Sequence, residues 1–238
     1  MIPETSVHLA GIVTLVGAVL YAIADVLLLA HHVGRRNPVP ATAIDFAASD
    51  RWQRRAQMLT CSSKMPWRRL VRGGLLGVFV TPFVMSGSWV LYRALQSGGW
   101  WLSAPVALLW LGAYPIGAFI HGSFIYLGAV VQAWNVAEGP HKSVMEETVS
   151  RVMGVLLKAY VVFYVVAIVF SLWYVVAVLQ GTTALPRWMA LMNPALMAIV
   201  YTVLARKVVP FAVMKYVQGA GYNIVYAVFF VLLLVFIW

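Results

Sequence analysis

Residues 8–30 read HLAGIVTLVGAVLYAIADVLLLA, 23 consecutive positions whose one carboxylate is Asp25. About 20 predominantly apolar residues cross a hydrocarbon layer about 30 Å thick. The stretch is therefore read as a membrane span, and the rest of the chain follows its pattern. Five more segments qualify: residues 73–95, 102–134, 152–179, 188–205 and 220–238. Of these, 102–134 is long enough to tilt or project, and 188–205 is the least apolar in pattern. Each span is expected to be helical, because in hydrocarbon every backbone N–H needs a partner within its own segment.

Composition agrees. Of 238 residues, 63% are hydrophobic and 10% charged, whereas an ordinary soluble domain has about 45–50% apolar and about 25% charged residues. That balance excludes a soluble globular enzyme, a disordered chain and a secreted disulfide scaffold. It leaves an all-α integral membrane protein, one transmembrane domain over residues 1–238 built as a bundle of six helices.

The net charge of +10 would suggest nucleic acid in a soluble protein. Here the basic residues stand in blocks between spans, so no nucleic-acid partner is expected. Residues 31–72 carry nine Lys and Arg, and Lys142, Arg151, Lys158, Arg206, Lys207 and Lys215 fall on the same side of the alternating spans. Arg93 and Arg187 alone fall on the other. The positive-inside rule makes the basic side cytoplasmic and places both termini outside. Anionic lipid headgroups are the expected partners of that face, together with a homo-oligomer or another membrane protein. Met1–Val7 holds no Lys or Arg, the wrong flank for a cleaved signal peptide.

Within the basic loop, Ser49 or Asp50 is placed to cap a helix through Thr60. Trp52, Ala56 and Leu59 then share one face, which reads as an interfacial amphipathic helix. Ser143 and Glu146 have capping-box spacing, predicting a helix start near Val144, and Glu147 with Arg151 forms an i,i+4 pair. Lys158, two turns into the following apolar run, is expected to snorkel to the interface. Trp100, Trp101, Trp134 and Trp188 fit interface positions. Gly73 and Gly77 allow a close helix approach, and Pro82, Pro115 and Pro194 are expected to kink their spans.

Ionisable groups inside hydrocarbon cost several kcal/mol unless paired or hydrated, which makes Asp25 and His121 the candidate catalytic pair. A carboxylate and an imidazole held in one low-dielectric pocket can exchange a proton with a substrate. Counted from the cytoplasmic helix ends, His121 lies about 9 Å deeper than Asp25 at 1.5 Å per residue, so contact requires the third span to tilt or to extend into the cytoplasm. Ser86, Tyr114, Ser123, Asn193, Tyr201, Tyr222 and Asn223 are the candidate substrate-binding groups. Metal-ligand motifs are missing and Cys61 is the lone cysteine, so no metal or cofactor is expected.

Several short motifs carry a resemblance. Gly11, Gly17, Tyr21 and Asp25-Val-Leu-Leu stand at fixed spacing in the first span, and Trp89-Val-Leu-Tyr92 in the second. His121-Gly-Ser-Phe-Ile-Tyr-Leu-Gly128, Met192-Asn193-Pro194 and Gly219-Ala-Gly221-Tyr-Asn223 follow. Together they resemble an uncharacterised family of bacterial polytopic membrane proteins known only as a domain of unknown function. The resemblance implies six or seven helices and a bacterial inner (cytoplasmic) membrane, and it implies no activity.

Three functions fit these residues. The first is a membrane-embedded enzyme acting on a lipid or isoprenoid-like hydrophobic substrate by acid–base chemistry, of isomerase, cyclase or hydrolase type. The others are a non-catalytic subunit or binding protein of a larger membrane complex, and a small proton-coupled transporter.

Overall fold

The structure, a computed structural model, describes residues 4–29, 62 and 65–237, without the side chains of residues 4, 206, 211, 212 and 214–218. The expected interfacial helix, from Ser49 or Asp50 through Thr60, lies outside the described residues. All described secondary structure is helical: α1 (Glu4–Leu29), α2 (Trp67–Met85), α3 (Gly87–Leu95), α4 (Trp100–Val136), α5 (Pro140–Leu179), α6 (Pro194–Val208) and α7 (Phe211–Ile237). Short 3₁₀ turns at Gln96–Gly98 and Arg187–Met192 join α3 to α4 and lead into α6.

Five stretches are long and apolar enough to cross a membrane: Thr5–Leu29, Trp67–Gly98, Trp100–Val136, Pro140–Leu179 and Gly219–Ile237. Pro194–Ala205 is a shorter apolar helix. The continuous span expected over 188–205 is thus divided. Asn193 ends the 3₁₀ turn and caps α6, its side chain accepting from the Leu196 amide at 3.0 Å and donating to the Ala190 carbonyl at 2.9 Å. Pro194 stands in the first turn, where no amide hydrogen is needed, and so begins a helix where the sequence had suggested a kink.

Glycines set the neighbours. A Cβ on Gly11 would overlap Leu234 of α7, one on Gly17 would press on Phe83 and Val84 of α2, and one on Gly73 would press on Leu27 and Leu28 of α1. These contacts make α1 antiparallel to both α2 and α7, so the described chain starts and ends at the same end of the bundle. Gly74 meets Ile125, Gly77 meets His121, and Gly128 meets Leu70, which sets α4 antiparallel to α2. Gly73 and Gly77 therefore serve two different helices of this same chain. Arg68, Arg69, Arg72, Lys142, Arg151 and Lys207 all belong to the end where α1 and α4 finish, whereas Arg93 and Arg187 belong to the other.

Pro82 lies inside α2, and α3 follows after the single residue Ser86. The Val84 carbonyl beside this break accepts the Trp110 indole N–H at 2.9 Å. Ser86 Oγ reaches the carbonyls of Phe83 (2.6 Å) and Ala10 (3.0 Å) and the Thr14 hydroxyl (2.9 Å). Helix α5 begins at Pro140, after Gly139 at φ 52°, rather than near Val144. Ser143 donates back to the Pro140 carbonyl at 2.8 Å, so the expected capping box does not form. The Arg151–Glu147 pair does form, at 2.5 Å on an exposed face, and Lys158 is exposed.

Two apolar cores result. The larger gathers Trp110, Tyr174, Phe229, Phe230 and their neighbours between α2, α3, α4, α5 and α7. The second, at the basic end, gathers Leu28, Met65, Leu70, Leu127, Trp134, Val149, Met153 and Leu156. Trp134 is buried here rather than placed at an interface, with the Lys142 ammonium 5.5 Å from its ring centre.

Candidate functional site

Tyr21 and Asp25 are one helical turn apart on α1. Tyr160 and Tyr164 repeat that spacing on α5, and Tyr222 and Tyr226 repeat it on α7. Residues so spaced share a helix face, and all three faces turn toward one cavity of about 340 Å³. Helix α4 adds Tyr114, Gly117, Ile120 and His121. Tyrosines contribute six of the cavity's fourteen lining residues.

The Asp25 carboxylate lies within it. Its Oδ1 is 3.4 Å from His121 Nε2, at ion-pair distance but looser than an aligned hydrogen bond. Its Oδ2 accepts from Asn223 Nδ2 at 2.6 Å. Both side chains are largely enclosed, at 13% and 8% exposure. The 9 Å depth difference disappears because α4 extends past the end of α1. On the antiparallel α1 and α2, Gly17 meets Val84 and Leu28 meets Gly73, so Gly77 stands level with about residue 24, beside Asp25, and the His121 ring packs on Gly77.

Two glycines make the meeting possible. A Cβ on Gly219 would press on Leu29, and Gly219 lies beside the Asp25 carbonyl, so α7 comes close enough for Asn223, one turn on, to reach the carboxylate. A Cβ on Gly77 would overlap the His121 ring at Nδ1 and Cγ. The imidazole thus lies flush on α2. The Gly73 carbonyl stands beside it, outside hydrogen-bond geometry for Nδ1. Tyr21 closes the other side, its ring edge-on to the imidazole at 4.7 Å and 84°. Thr81 Oγ1 donates to the Gly77 carbonyl at 2.9 Å, so the Tyr21 hydroxyl is the donor in the 2.8 Å bond between Tyr21 and Thr81. Arg69 holds the end of α1 from outside. Its Nε donates to the Leu27 carbonyl at 2.8 Å and its guanidinium NH₂ to the Val26 carbonyl at 2.9 Å, directly after Asp25.

The buried Tyr114 hydroxyl also lines this space and has no hydrogen-bond partner among the described residues. A buried hydroxyl without a partner is uncommon in folded proteins and is a group a bound molecule can satisfy. The arrangement can hold a polar group against a carboxylate, an imidazole and an unpaired phenol, with aromatic faces around it.

Of the residues singled out in the sequence, Asp25, His121, Tyr114, Tyr222 and Asn223 come together at this cavity. Four do not. Ser86 sits at the α2–α3 break and Asn193 caps α6. Ser123 donates to the Phe119 carbonyl one turn back at 2.7 Å and lines an outward groove with Val78, Gly122 and Tyr126. Tyr201 fills the space left by Gly221. Sequence reasoning passed over Tyr21, Tyr160, Tyr164 and Tyr226, whose signal was the repeated i,i+4 spacing of tyrosine with tyrosine or aspartate.

The chain belongs to a family of unknown function, DUF6796, whose profile matches residues 4–238. Neither the curated proteins nor the solved structures contain a match to it.

Proposed function

We propose that this member of the family is a membrane-embedded enzyme acting on a lipid or isoprenoid-like substrate by proton transfer, of isomerase, cyclase or hydrolase type. The observation that carries the reading is the Asp25–His121 contact on the wall of a cavity inside an apolar bundle. Ionisable groups at such depth are costly and mark functional sites, and a cavity with a few convergent polar groups is the usual form of a small-molecule site.

In this reading Asp25 exchanges the proton with the substrate. Asn223 fixes the carboxylate by holding Oδ2, which leaves Oδ1 toward the imidazole. His121 supplies or stores the second proton, and Thr81 fixes Tyr21 against its ring. The Tyr114 hydroxyl orients the substrate's polar group. Side chains placed in this way commonly contribute about 10²–10⁴-fold to proton-transfer steps.

The same reading places six crossings in a bacterial inner membrane, the basic end cytoplasmic and both termini outside. The 3₁₀ turn and α6 together make the short crossing. Anionic headgroups gather at the basic end.

The test is to purify wild type and Asp25→Asn in mild detergent from the native membrane and identify every stoichiometric non-protein molecule. The expected result is a specific hydrophobic molecule that accumulates or differs in the variant. Bulk phospholipid alone in both samples, with a partner protein co-purifying, would overturn the enzyme reading in favour of a complex subunit.

A further inference from the structure

A second groove of about 340 Å³ runs between α5, α6 and α7. It shares Tyr164, Tyr222 and Tyr226 with the Asp25 cavity, so the two spaces meet at a common aromatic wall. From there it follows α5 through Ala167, Ile168 and Ser171 toward Pro194 and Ala195 at the start of α6. That direction leads away from the basic end. Tyr164 to Ser171 covers about 10 Å along the helix. Ile168, Ile199 and Val203 on its walls are outward-facing and apolar, as expected where a bundle meets lipid.

We infer that this groove is the lateral port of the site and that the substrate is a long-chain amphiphile without a phosphate, its hydrocarbon chain in the groove and its hydroxyl or carbonyl head at Asp25. The inference rests on the proposed catalytic role of Asp25 and adds the route and the substrate class. Three features support it. The cavity and the groove adjoin across the shared side chains of Tyr164, Tyr222 and Tyr226. The polar end and the apolar end are segregated along one path, which matches the two ends of an amphiphile. At the polar end the Asp25 carboxyl already accepts from Asn223 and faces His121, and in its ionised form it repels an anionic head. The unpartnered Tyr114 hydroxyl is a donor for an uncharged oxygen.

The experiment measures binding of hexadecanol and of hexadecyl phosphate to the detergent-purified full chain by native mass spectrometry. The two probes share a chain and differ in head. Wild type is expected to bind one hexadecanol, with hexadecyl phosphate weaker by about tenfold or more. Ala167→Trp, which places a ring in the groove, should weaken hexadecanol binding about tenfold or more by direct exclusion. Should that variant not fold, Ile199→Trp on the exposed opposite wall replaces it. Unchanged hexadecanol binding in the groove variant, with binding lost in Asp25→Asn, would overturn the port while leaving the catalytic reading in place. Equal or tighter binding of hexadecyl phosphate would overturn the substrate class. Binding lost in the groove variant, with no difference in retained molecules between wild type and Asp25→Asn, would uphold the port and overturn the catalytic reading.

Discussion

Asp25 is held by two neighbours of different kinds, and that difference makes it testable. Asparagine at this position keeps an oxygen for Asn223 Nδ2 to donate to but cannot take up a proton. Asp25→Asn is expected to leave the thermal midpoint in detergent within a few degrees of wild type while reducing turnover of the identified substrate by about 10²–10⁴-fold. Equal loss of stability and turnover would assign Asp25 to packing. Gly77→Ala acts on the other member of the pair, because the added methyl falls on the imidazole. Overpacking of this kind costs about 1–3 kcal/mol, so a lowered midpoint and a displaced His121 resonance in NMR are expected. Asp25, His121 and Asn223 were legible in the sequence because a charge or an amide inside an apolar run needs a partner, although the Asn193 amide finds its partners as a helix cap. Ser86 and Ser123 read the same way yet lie elsewhere, because a hydroxyl can satisfy itself on a carbonyl of its own helix and carries no necessary information about neighbours.

At the scale of the element, the end of α1 and the start of α2 are joined by Arg69, which donates to the Val26 and Leu27 carbonyls. Arg69→Met keeps the length of the side chain and removes both bonds. Hydrogen bonds from a charged donor contribute about 1.5–3 kcal/mol. The expected outcome is faster amide exchange through Asp25–Leu29 with residues near Glu4 unaffected, read by hydrogen–deuterium exchange. Five long apolar helices were legible from hydropathy, since length and composition suffice for that. The division of 188–205 was missed because Asn193-Pro194 was weighed as a kink inside a helix, although an Asn before a Pro is also a cap followed by a first turn. The tyrosine wall was missed for a related reason. Tyr114, Tyr201 and Tyr222 were read one by one as polar groups, and only the i,i+4 repetition on α1, α5 and α7 marks a shared inward face.

For the whole molecule, the charge pattern and the helix directions coincide at one end, and the single cysteine can report which side that end faces. Cys61 lies in the basic stretch between α1 and α2. A membrane-impermeant maleimide is expected to label it in inverted vesicles and not in intact cells, and Glu138→Cys at the exposed α4–α5 turn, in a Cys61→Ser background, should behave the same way. Labelling of both from outside would reverse the orientation. Helix α4 has 37 residues and α5 has 40, about 55 Å and 60 Å of helix at 1.5 Å per residue, against a hydrocarbon layer of about 30 Å. With Trp100 taken as one face of that layer, we propose that the second core around Trp134 and Met153 stands beyond the other, in water. The molecule is thus held together in two solvents. Among lipid tails, cohesion rests on close packing, because hydrocarbon surroundings give apolar side chains no reason to leave them. Beyond the lipid, the Trp134 core depends on water's rejection of apolar surface, which urea weakens. Moderate urea is expected to shift Trp134 emission and expose Val149–Leu156 to exchange before the Trp110 core responds. Asp25 and His121 lie between the two cores, so on this proposal the aqueous medium sets the tightness of one wall of the pocket while the other wall answers only to the bilayer.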